Sequence, residues 1–272
     1  METIENYSFT ESNNSVITEQ ESHLNVDFLL NKSYTLYHCT PLYNFNNEKI
    51  ENYTNELKEY LLSKETVTGY DNDENEQDDE FNGSKIEEVK ILRINLAGWS
   101  GVHDKPLGVK ILFKYKGRKK EQESQIVILP SIQNEVSLTN SKFTKYPLLM
   151  VKALQTITEM FFEWLQSRFD CRVCPFIIQP YNLRQLVEIW SKSMFSDLDS
   201  IEDEVSGILE EIEDYLFRSL HLKLSSIVLT KVGLNSFYIS NDGKLKFFHV
   251  PHDGHEQLLI KTLEQFIALA EM

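Results

Sequence analysis

The chain has 272 residues, a hydrophobic fraction of 41% and a net charge of -15 from 42 acidic and 27 basic side chains. A chain of this length buries a substantial core, and its apolar runs are shorter than the ~18 residues that cross a bilayer, so we expect a soluble protein without a membrane partner. The acidic balance repels phosphate backbones, so any contact with nucleic acid must be local or shared with a basic partner.

The first part of the chain predicts a tail, a strand and a helix. Residues 1–24 are polar, lack the basic start and apolar stretch of a secretory signal, and predict a disordered tail. Ser33–Cys39 alternates β-branched and aromatic residues and predicts a strand, and residues 47–64 carry apolar side chains at helical spacing. The block 71–80 holds seven carboxylates and no base, so we expect a disordered insertion over about residues 68–84, either a solvated loop or a lure for a basic partner.

The middle of the chain predicts a meander followed by helices. Strand-like runs at Val89–Leu96, Gly108–Tyr115 and Ser124–Leu129 are separated by turns. A long helix is expected from Pro147 to Phe169, since Pro147 suits a first helical position and apolar residues follow at helical spacing. Asn182 and Gln185 suggest the N-cap of a second helix, and a third is expected over Ser200–Leu220.

The end of the chain predicts a hairpin and a final helix. Strands are expected at Ser225–Val232, Leu234–Ser240 and Lys244–Val250, the last two joined by a tight turn at Asn241-Asp242-Gly243, and a helix over His255–Met272. Strands grouped apart from helices predict an α+β fold with largely antiparallel sheets. We expect one domain over residues 25–272 and leave open its division into two lobes near residues 140–147.

The motifs that would carry enzymatic or metal chemistry are incomplete. Cys171 and Cys174 have the spacing of metal ligands, and His249, His252 and His255 follow at intervals of three, but a second cysteine pair is missing and two small buried side chains are the favoured interpretation. Residues 98–101 (Gly-Trp-Ser-Gly) do not match a nucleophile elbow, and glycine motifs for nucleotides are missing. The sequence therefore predicts a protein that is not an enzyme and has no cofactor or metal, in a reducing compartment.

Two features favour binding surfaces. The end strands of the predicted sheet would present unpaired backbone groups, which either are covered or recruit a strand from another molecule. A run of bases at an expected hairpin tip is the best candidate for contact with DNA: Lys114, Lys116, Arg118, Lys119 and Lys120. The alternative for that run is a solvated loop tip.

Several segments, taken in order, resemble the centromere protein L (CENP-L) family. Residues 28–37 (FLLNKSYTLY) with Thr40-Pro41-Leu42 and Phe45 are similar to its opening strand block. The stretch from Trp164 through Phe169-Asp170-Cys171 and Pro175 to the helix 182–190 is similar to its central region, and residues 224–246 to its C-terminal hairpin. The resemblance covers about residues 26–272. Cys174 and the acidic block 71–80 depart from the family's pattern.

The resemblance implies a structural subunit of the inner kinetochore in the nucleus, needed for kinetochore assembly and chromosome segregation. It implies a heterodimer with a CENP-N-like protein through C-terminal β-sheet surfaces, contacts with other inner kinetochore subunits, and a share in binding centromeric DNA or the nucleosome. We therefore assign partner binding to Thr230, Val232, Phe237, Ile239, Leu245 and Phe247, and DNA binding to Lys116, Arg118, Lys119 and Lys120. The alternatives are a self-associating adaptor that forms a homodimer and an enzyme of unknown reaction.

Overall fold

A computed structural model describes residues 24–68, 84–99, 104–115, 121–132, 142–195, 211, 214–221, 223, 228–249 and 255–271. The helices in these ranges are α1 (Ile50–Thr68), α2 (Gln155–Phe169), α3 (Pro180–Phe195), α4 (residues 214–220) and α5 (His255–Ala270), with short 3-10 helices at Val26–Phe28 and Asn47–Lys49. The strands are β1 (Ser33–Cys39), β2 (Leu42–Tyr43), β3 (Ser84–Arg93), β4 (Leu107–Tyr115), β5 (Gln122–Leu129), β6 (Phe143–Thr144), β7 (Leu148–Lys152), β8 (Val173–Pro175), β9 (Lys231–Gly233), β10 (Phe237–Ser240) and β11 (Lys244–Phe247).

Nine of these strands form one antiparallel sheet in the order β3-β4-β5-β7-β1-β11-β10-β9, with β8 pairing to β1 beside this path. The predicted α+β class with antiparallel sheets and a C-terminal helix is confirmed. We call β3, β4 and β5 the first half-sheet and β9, β10 and β11 the second half-sheet. The central strands β7 and β1 join the two, while β2 and β6 make a separate two-stranded sheet.

The sheet carries one hydrophobic core on each face, and the two cores are displaced from each other. On one face, α1 and α2 pack over the first half-sheet and bury the side chains Leu57, Leu61, Val109, Ile111, Phe113, Ile126, Phe161 and Leu165. On the opposite face, α3 and α5 pack over the second half-sheet and bury the side chains Leu183, Trp190, Phe237, Ile239, Leu245, Phe247, Leu263 and Phe266. Each such large apolar side chain contributes about 1.5–3 kcal/mol when fully buried.

Along each strand, buried side chains alternate with side chains that point away from the helices covering that half-sheet. In β4, Val109, Ile111 and Phe113 are buried under α1 and α2, so Lys110 and Lys114 must point to the other face. In β10, Phe237 and Ile239 are buried under α3 and α5, and Tyr238 between them points away. Each half-sheet therefore has one face under the long helices. On the other face of the first half-sheet, Leu24 and Phe28 pack over Gly108, and Lys110 Nζ lies 5.4 Å from the centre of the Phe28 ring, so this face is partly covered.

The turn between β10 and β11 depends on a glycine. Gly243 has φ of 77°, in the left-handed region, and a Cβ atom there would collide with the carbonyl oxygen of Phe176. The Gly243 carbonyl accepts a hydrogen bond from the backbone N–H of Leu36 at 2.8 Å, so the turn is also fixed to β1. The hairpin predicted at residues 241–243 is confirmed.

The helix predicted from Pro147 is wrong over its first two turns. Leu148–Lys152 is β7, which pairs with β1 on one side and β5 on the other, and the helix begins only at Gln155. Leu148 and Met150 lie in one core, and Leu149 and Val151 lie in the other. A run of apolar residues buried on both faces has the same sequence pattern as a buried helix, and tertiary packing decides between them.

The starts and ends of several other helices and strands also differ from the predicted ones. The helix assigned an N-cap at Asn182 begins at Pro180, and the strand expected from Ser225 is Lys231–Gly233. The predicted strand Val89–Leu96 lies instead at Ser84–Arg93, and that expected to end at Val250 ends at Phe247. Of the predicted helix 200–220, residues 214–220 are helical. The predicted tail and most of the acidic insertion lie outside the described residues, and the two-lobe division stays a prediction. Among the described helices, none has the length and apolarity to span a membrane.

Candidate functional site

The edge strand β9 is the first candidate binding site. Its inner side pairs with β10, placing Val232 opposite Ile239 and Gly233 opposite Tyr238. The hydrogen bonds from Leu234 N–H to the Phe237 carbonyl and from Asn241 N–H to the Thr230 carbonyl fix which backbone groups face β10. By the alternation of an antiparallel ladder, the N–H and carbonyl groups of Lys231 and Gly233 point outward. No described strand pairs with that outer side.

The side chains assigned to partner binding are divided between the core and the surface. Phe237, Ile239, Leu245 and Phe247 are at most 1% exposed and pack in the core under α3 and α5, as does Val232, while Thr230 is exposed. The Trp190 ring lies 4.3 Å from that of Phe237. The structure brings the assigned residues together on three neighbouring strands, but it turns five of the six side chains toward the protein's own helices.

The opposite face of the second half-sheet is open to contact. One row across four strands consists of Ser33, Lys246, Tyr238 and Gly233, each opposite the next. Lys246 Nζ lies 4.9 Å from the centre of the Phe248 ring, and the next row contains Lys244, whose Nζ lies 3.1 Å from a carboxylate oxygen of Asp242. A flat surface with aromatic and cationic side chains is typical of protein interfaces.

Exposed apolar side chains lie near the same end of β9. Val228, 64% exposed, stands two residues before Thr230. The backbone N–H of Ile178 donates to the carbonyl of Asn241, whose own N–H bonds to Thr230, and the neighbouring side chain of Ile177 is 65% exposed. Backbone hydrogen bonds through Asn241 therefore hold the exposed side chain of Ile177 near the residue that precedes β9, and Val228 lies on the same side of the strand in sequence. A partner bound at β9 would cover both aliphatic side chains.

The second candidate site is the face of the first half-sheet opposite α1 and α2, where lysines surround the buried side chain of Gln125, which is 2% exposed. Lys90 lies opposite Lys110, Lys110 opposite Gln125, and Gln125 opposite Lys152, which makes one row across four strands. Lys85 and Lys114 form a second pair on the same face, closer to the β4–β5 connection. Together with the adjoining Lys32, we call this surface the lysine face: Lys32, Lys85, Lys90, Lys110, Lys114 and Lys152.

Carboxylates offset only part of this positive charge. Glu88 lies 2.6 Å from Lys90 Nζ, and Glu123 lies 3.8 Å from Lys110 Nζ. Burial lowers the pKa of Lys32, the charges of Lys152 and Lys110 lower it further, and Glu123 acts in the opposite direction. Because like charges placed opposite each other in a sheet are destabilising, the lysine face is a surface that an anion would stabilise.

The basic run assigned to DNA binding, Lys116 to Lys120, lies outside the described residues. Its neighbour Lys114 belongs to the lysine face, so the run follows directly from this surface along the chain. The sequence prediction missed the lysine face because its members come from four separate segments. The signal that could have found it is the alternation of Lys110 and Lys114 with the buried residues of β4.

The cysteines assigned as buried small side chains cluster at the end of β1, but not as a metal site. Residue pairing places Cys174 opposite His38, with Sγ 3.9 Å from Nδ1, while the thiol of the adjacent Cys39 contacts Cys171. Since successive residues of a strand point to opposite faces, Cys171 and Cys174 lie on opposite sides of the ribbon. In the part of the chain that the structure describes, no three His, Cys, Asp or Glu side chains are grouped to bind a metal. Residues 98–101, which do not match a nucleophile elbow, include Gly98 in a turn with φ of 90° and Trp99, which packs against the core under α5.

The fold and these surfaces define an α+β protein whose large sheet has an edge, at β9, that is unpaired among the described strands, and two half-faces that lie outside the long helices. The sequence profile described as Centromere protein L matches residues 28–202 and 192–271. The chain therefore belongs to the centromere protein L family. That membership places it in the nucleus at the centromere and kinetochore, among the proteins of chromosome segregation.

Similar curated proteins share this family name. The chain is 28% identical over 178 residues to centromere protein L of Mus musculus, covering 61% of this chain and 50% of that protein. It is 27% identical over 187 residues to the Homo sapiens protein, covering 65% and 51%, and 24% identical over 290 residues to that of Xenopus tropicalis, covering 86% and 78%. The matches thus span about half the length of the mouse and human proteins.

Proposed function

We propose that this chain is a non-enzymatic structural subunit of the inner kinetochore that pairs with a CENP-N-like protein through the edge strand β9. The observation that carries the proposal is the outward orientation of the Lys231 and Gly233 backbone groups, which match the needs of one additional strand. The family resemblance supplies the identity of the partner, and the open row of Lys246, Tyr238 and Gly233 supplies side chains beside the joint.

The core position of the assigned side chains changes how the pairing would work. Phe237 and Phe247 are needed for the protein's own packing, so their role in the interface is to hold β10 and β11 in place under the edge. The direct contacts would come from the β9 backbone, from Tyr238 and Lys246 on the open face, and from exposed Val228 and Ile177. A charge placed at Phe237 would unfold this region whether or not a partner binds there.

Two substitutions at Gly233 distinguish partner binding through the β9 edge from binding through other surfaces. Gly233→Pro removes an outward N–H without breaking a hydrogen bond to β10, while Gly233→Ala keeps that N–H, and its methyl group would lie 4.0 Å from its nearest neighbour. After co-expression with a CENP-N-like protein, we expect recovery of the complex to fall at least about tenfold for the proline variant and to stay at the wild-type level for the alanine variant. If the folded proline variant copurifies with the CENP-N-like protein as well as the wild type does, the proposal of binding through the β9 edge is refuted.

We also propose that the complex contacts centromeric DNA through the lysine face together with Lys116, Arg118, Lys119 and Lys120. The support is a concentration of lysines on one surface of a chain whose net charge is -15, directly adjoining the basic run. An extended row of cations fits the repeating phosphates of a duplex, and its contribution to binding falls as salt displaces it. Other inner kinetochore subunits would share this contact.

The salt dependence of DNA binding tests this surface. Reversing Lys90, Lys110 and Lys152 to Glu in the heterodimer should lower the slope of log K against log salt by roughly 3, since each lost phosphate contact removes about 0.9. The matched control reverses three exposed lysines beside α1, namely Lys49, Lys58 and Lys142, and makes the same change in net charge. Equal effects of both triple variants would assign the loss to overall charge and remove the lysine face from the proposal.

A self-associating adaptor is the competing proposal, because an open strand edge can pair with a copy of itself. Sedimentation of the isolated chain separates the two arrangements. A dimer that dissociates when the CENP-N-like protein is added would indicate that both use β9, and Gly233→Pro should abolish both. A dimer unaffected by Gly233→Pro would use another surface.

A further inference from the structure

The end of β1 contains a thiol pair that the kinetochore role does not use. Cys39 is 2% exposed within the core under α1 and α2, and Cys171 is half-buried at the end of α2. The two are far apart in sequence and are brought together because β8 pairs with β1, placing Val173 opposite Cys39, and because the Thr40 N–H bonds to the Arg172 carbonyl at 3.0 Å. The Cys39 thiol donates to the Thr40 carbonyl oxygen at 3.3 Å and the Cys171 thiol donates to the Leu165 carbonyl oxygen at 3.5 Å. The two thiols are also close enough to share a hydrogen bond that shifts the pKa of each.

The two thiols are chemically unequal. The hydrogen bond from Cys39 lowers the pKa of the Cys171 thiol, since it stabilises the thiolate. The same hydrogen bond raises the pKa of Cys39, and burial raises it further, so Cys39 keeps its proton. A half-exposed thiol with thiolate character is the form that reacts with oxidants, and a protonated thiol in contact with it is placed to complete a disulfide.

A small cavity reaches this region from the surface. It has a volume of about 180 Å³ and is lined by His38, Cys39, Pro41, Lys145, Tyr146, Pro147, Ala270 and Glu271. This space is several times the roughly 30 Å³ share of one water in the liquid, so a molecule as small as hydrogen peroxide fits beside Cys39. Cys171 does not line the cavity and is reached from its own half-exposed side. The third cysteine, Cys174, faces His38 on the other side of the ribbon and is not in line with the pair.

We propose that Cys39 and Cys171 are an oxidisable pair that forms a disulfide on reaction with a peroxide. The Cys171 thiolate attacks one peroxide oxygen, the O–O bond breaks, and Cys171 becomes a sulfenic acid while the other oxygen leaves as hydroxide. The Cys39 sulfur then displaces the sulfenic hydroxyl, and the S–S bond forms. The two thiol protons, together with the two hydrogens and two oxygens of the peroxide, leave as two molecules of water. Two cysteines are oxidised, and one peroxide is reduced.

The bond would tie the end of β1 to the connection between α2 and β8. In a reducing compartment the thiols are the resting state, and a disulfide would be transient and reversed by thiol exchange. Because the bond closes a long loop between two elements that already touch, we expect the oxidised protein to melt roughly 5 to 10 °C above the reduced one.

Peptide mapping of the full chain tests the proposal. The reduced protein is treated with hydrogen peroxide, remaining thiols are blocked with N-ethylmaleimide, and the digest is searched for linked peptides that have lost two hydrogens. We expect the Cys39–Cys171 peptide in wild type and in the control variant Cys174→Ser, and its absence in Cys171→Ser. A dominant Cys171–Cys174 link, or sulfinic acid without any link, would overturn the proposal.

A second measurement keeps the test independent of folding in the variants. In the untreated wild-type chain, iodoacetamide should label Cys171 several times faster than Cys174, because labelling follows thiolate character and access. In Cys39→Ala, whose folding is checked by its melting curve, this advantage should fall at least about threefold. Equal labelling rates of the two residues in wild type would contradict the assignment of Cys171 as the reactive thiol.

Discussion

The two half-sheets belong to one continuous sheet, but helices cover opposite faces of the two. The first half-sheet buries the face under α1 and α2 and has lysines on the other. The second buries the face under α3 and α5 and leaves Tyr238 and Lys246 partly exposed on the other. The first half-sheet thus offers charge, and the second offers a strand edge. Displacing two helical layers across one sheet gives that sheet two surfaces of different chemistry.

The largest expected effect is the contrast between two neighbouring residues of β10. Phe237→Ala should lower the free energy of unfolding by about 3–5 kcal/mol, because the ring is 1% exposed and packs on Trp190. Tyr238→Ala, on the open face, should cost no more than about 1 kcal/mol. Chemical denaturation measures both, and similar losses would mean that the open face of the second half-sheet is covered.

The second-largest expected loss of stability is at Gly243, in the turn between β10 and β11. Gly243→Ala should cost about 2–4 kcal/mol, since it adds left-handed backbone strain to a collision with the Phe176 carbonyl. Gly233→Ala, on the adjacent edge strand, meets nothing closer than 4.0 Å and should change stability by less than about 0.5 kcal/mol. Urea unfolding of the pair measures the difference, and a loss at Gly233 equal to that at Gly243 would contradict an open edge.

The central strand that joins the half-sheets gives a pH-dependent effect. Burial raises the pKa of Tyr34 above its ordinary value, so the folded state retains a proton that the unfolded state releases above about pH 10. The stabilisation is complete below that pH and is lost as pH rises, at up to about 1.4 kcal/mol per pH unit.

Tyr34→Phe should remove this alkaline loss. At neutral pH it should cost about 1 kcal/mol, because the hydroxyl lies 2.9 Å from the Phe28 carbonyl oxygen. Thermal unfolding between pH 8 and pH 11 measures the trend, with exposed Tyr181→Phe as the control. A Tyr34→Phe variant with an unchanged alkaline slope would place the titration elsewhere.

The smallest effect concerns the helices over the first half-sheet. Arg168 of α2 pairs with Glu56 of α1 at 2.6 Å, and both side chains are 40% exposed. A double-mutant cycle of Arg168→Gln and Glu56→Gln should give a coupling of about 0.2–1 kcal/mol, since solvent screens the pair. Glu59→Gln on the same helix is the control. A coupling above about 2 kcal/mol would mean that charge, rather than apolar packing, holds this helical layer.

Local sequence patterns predicted the elements that bury one face and expose the other, and the turn that requires glycine. The strand Ser33–Cys39, the helix α1 and the turn at Gly243 follow from alternation, helical spacing and glycine chemistry, and the structure confirms them. Leu148–Lys152 could not be separated from a helix because the sheet buries it on both faces. The partner-binding side chains were assigned from the expected strand edges and the family resemblance, neither of which says which face of the sheet the protein's own helices cover.

The residue pairing of β1 has a consequence for assembly. This strand takes its neighbours β7 and β11 from much later in the sequence, so this part of the sheet cannot close until the segment through Phe247 has left the ribosome. The edge that we propose for partner binding lies beyond β11 in the sheet and depends on that closure. Nascent chains that stop short of Phe247 would therefore offer no ordered edge to a partner.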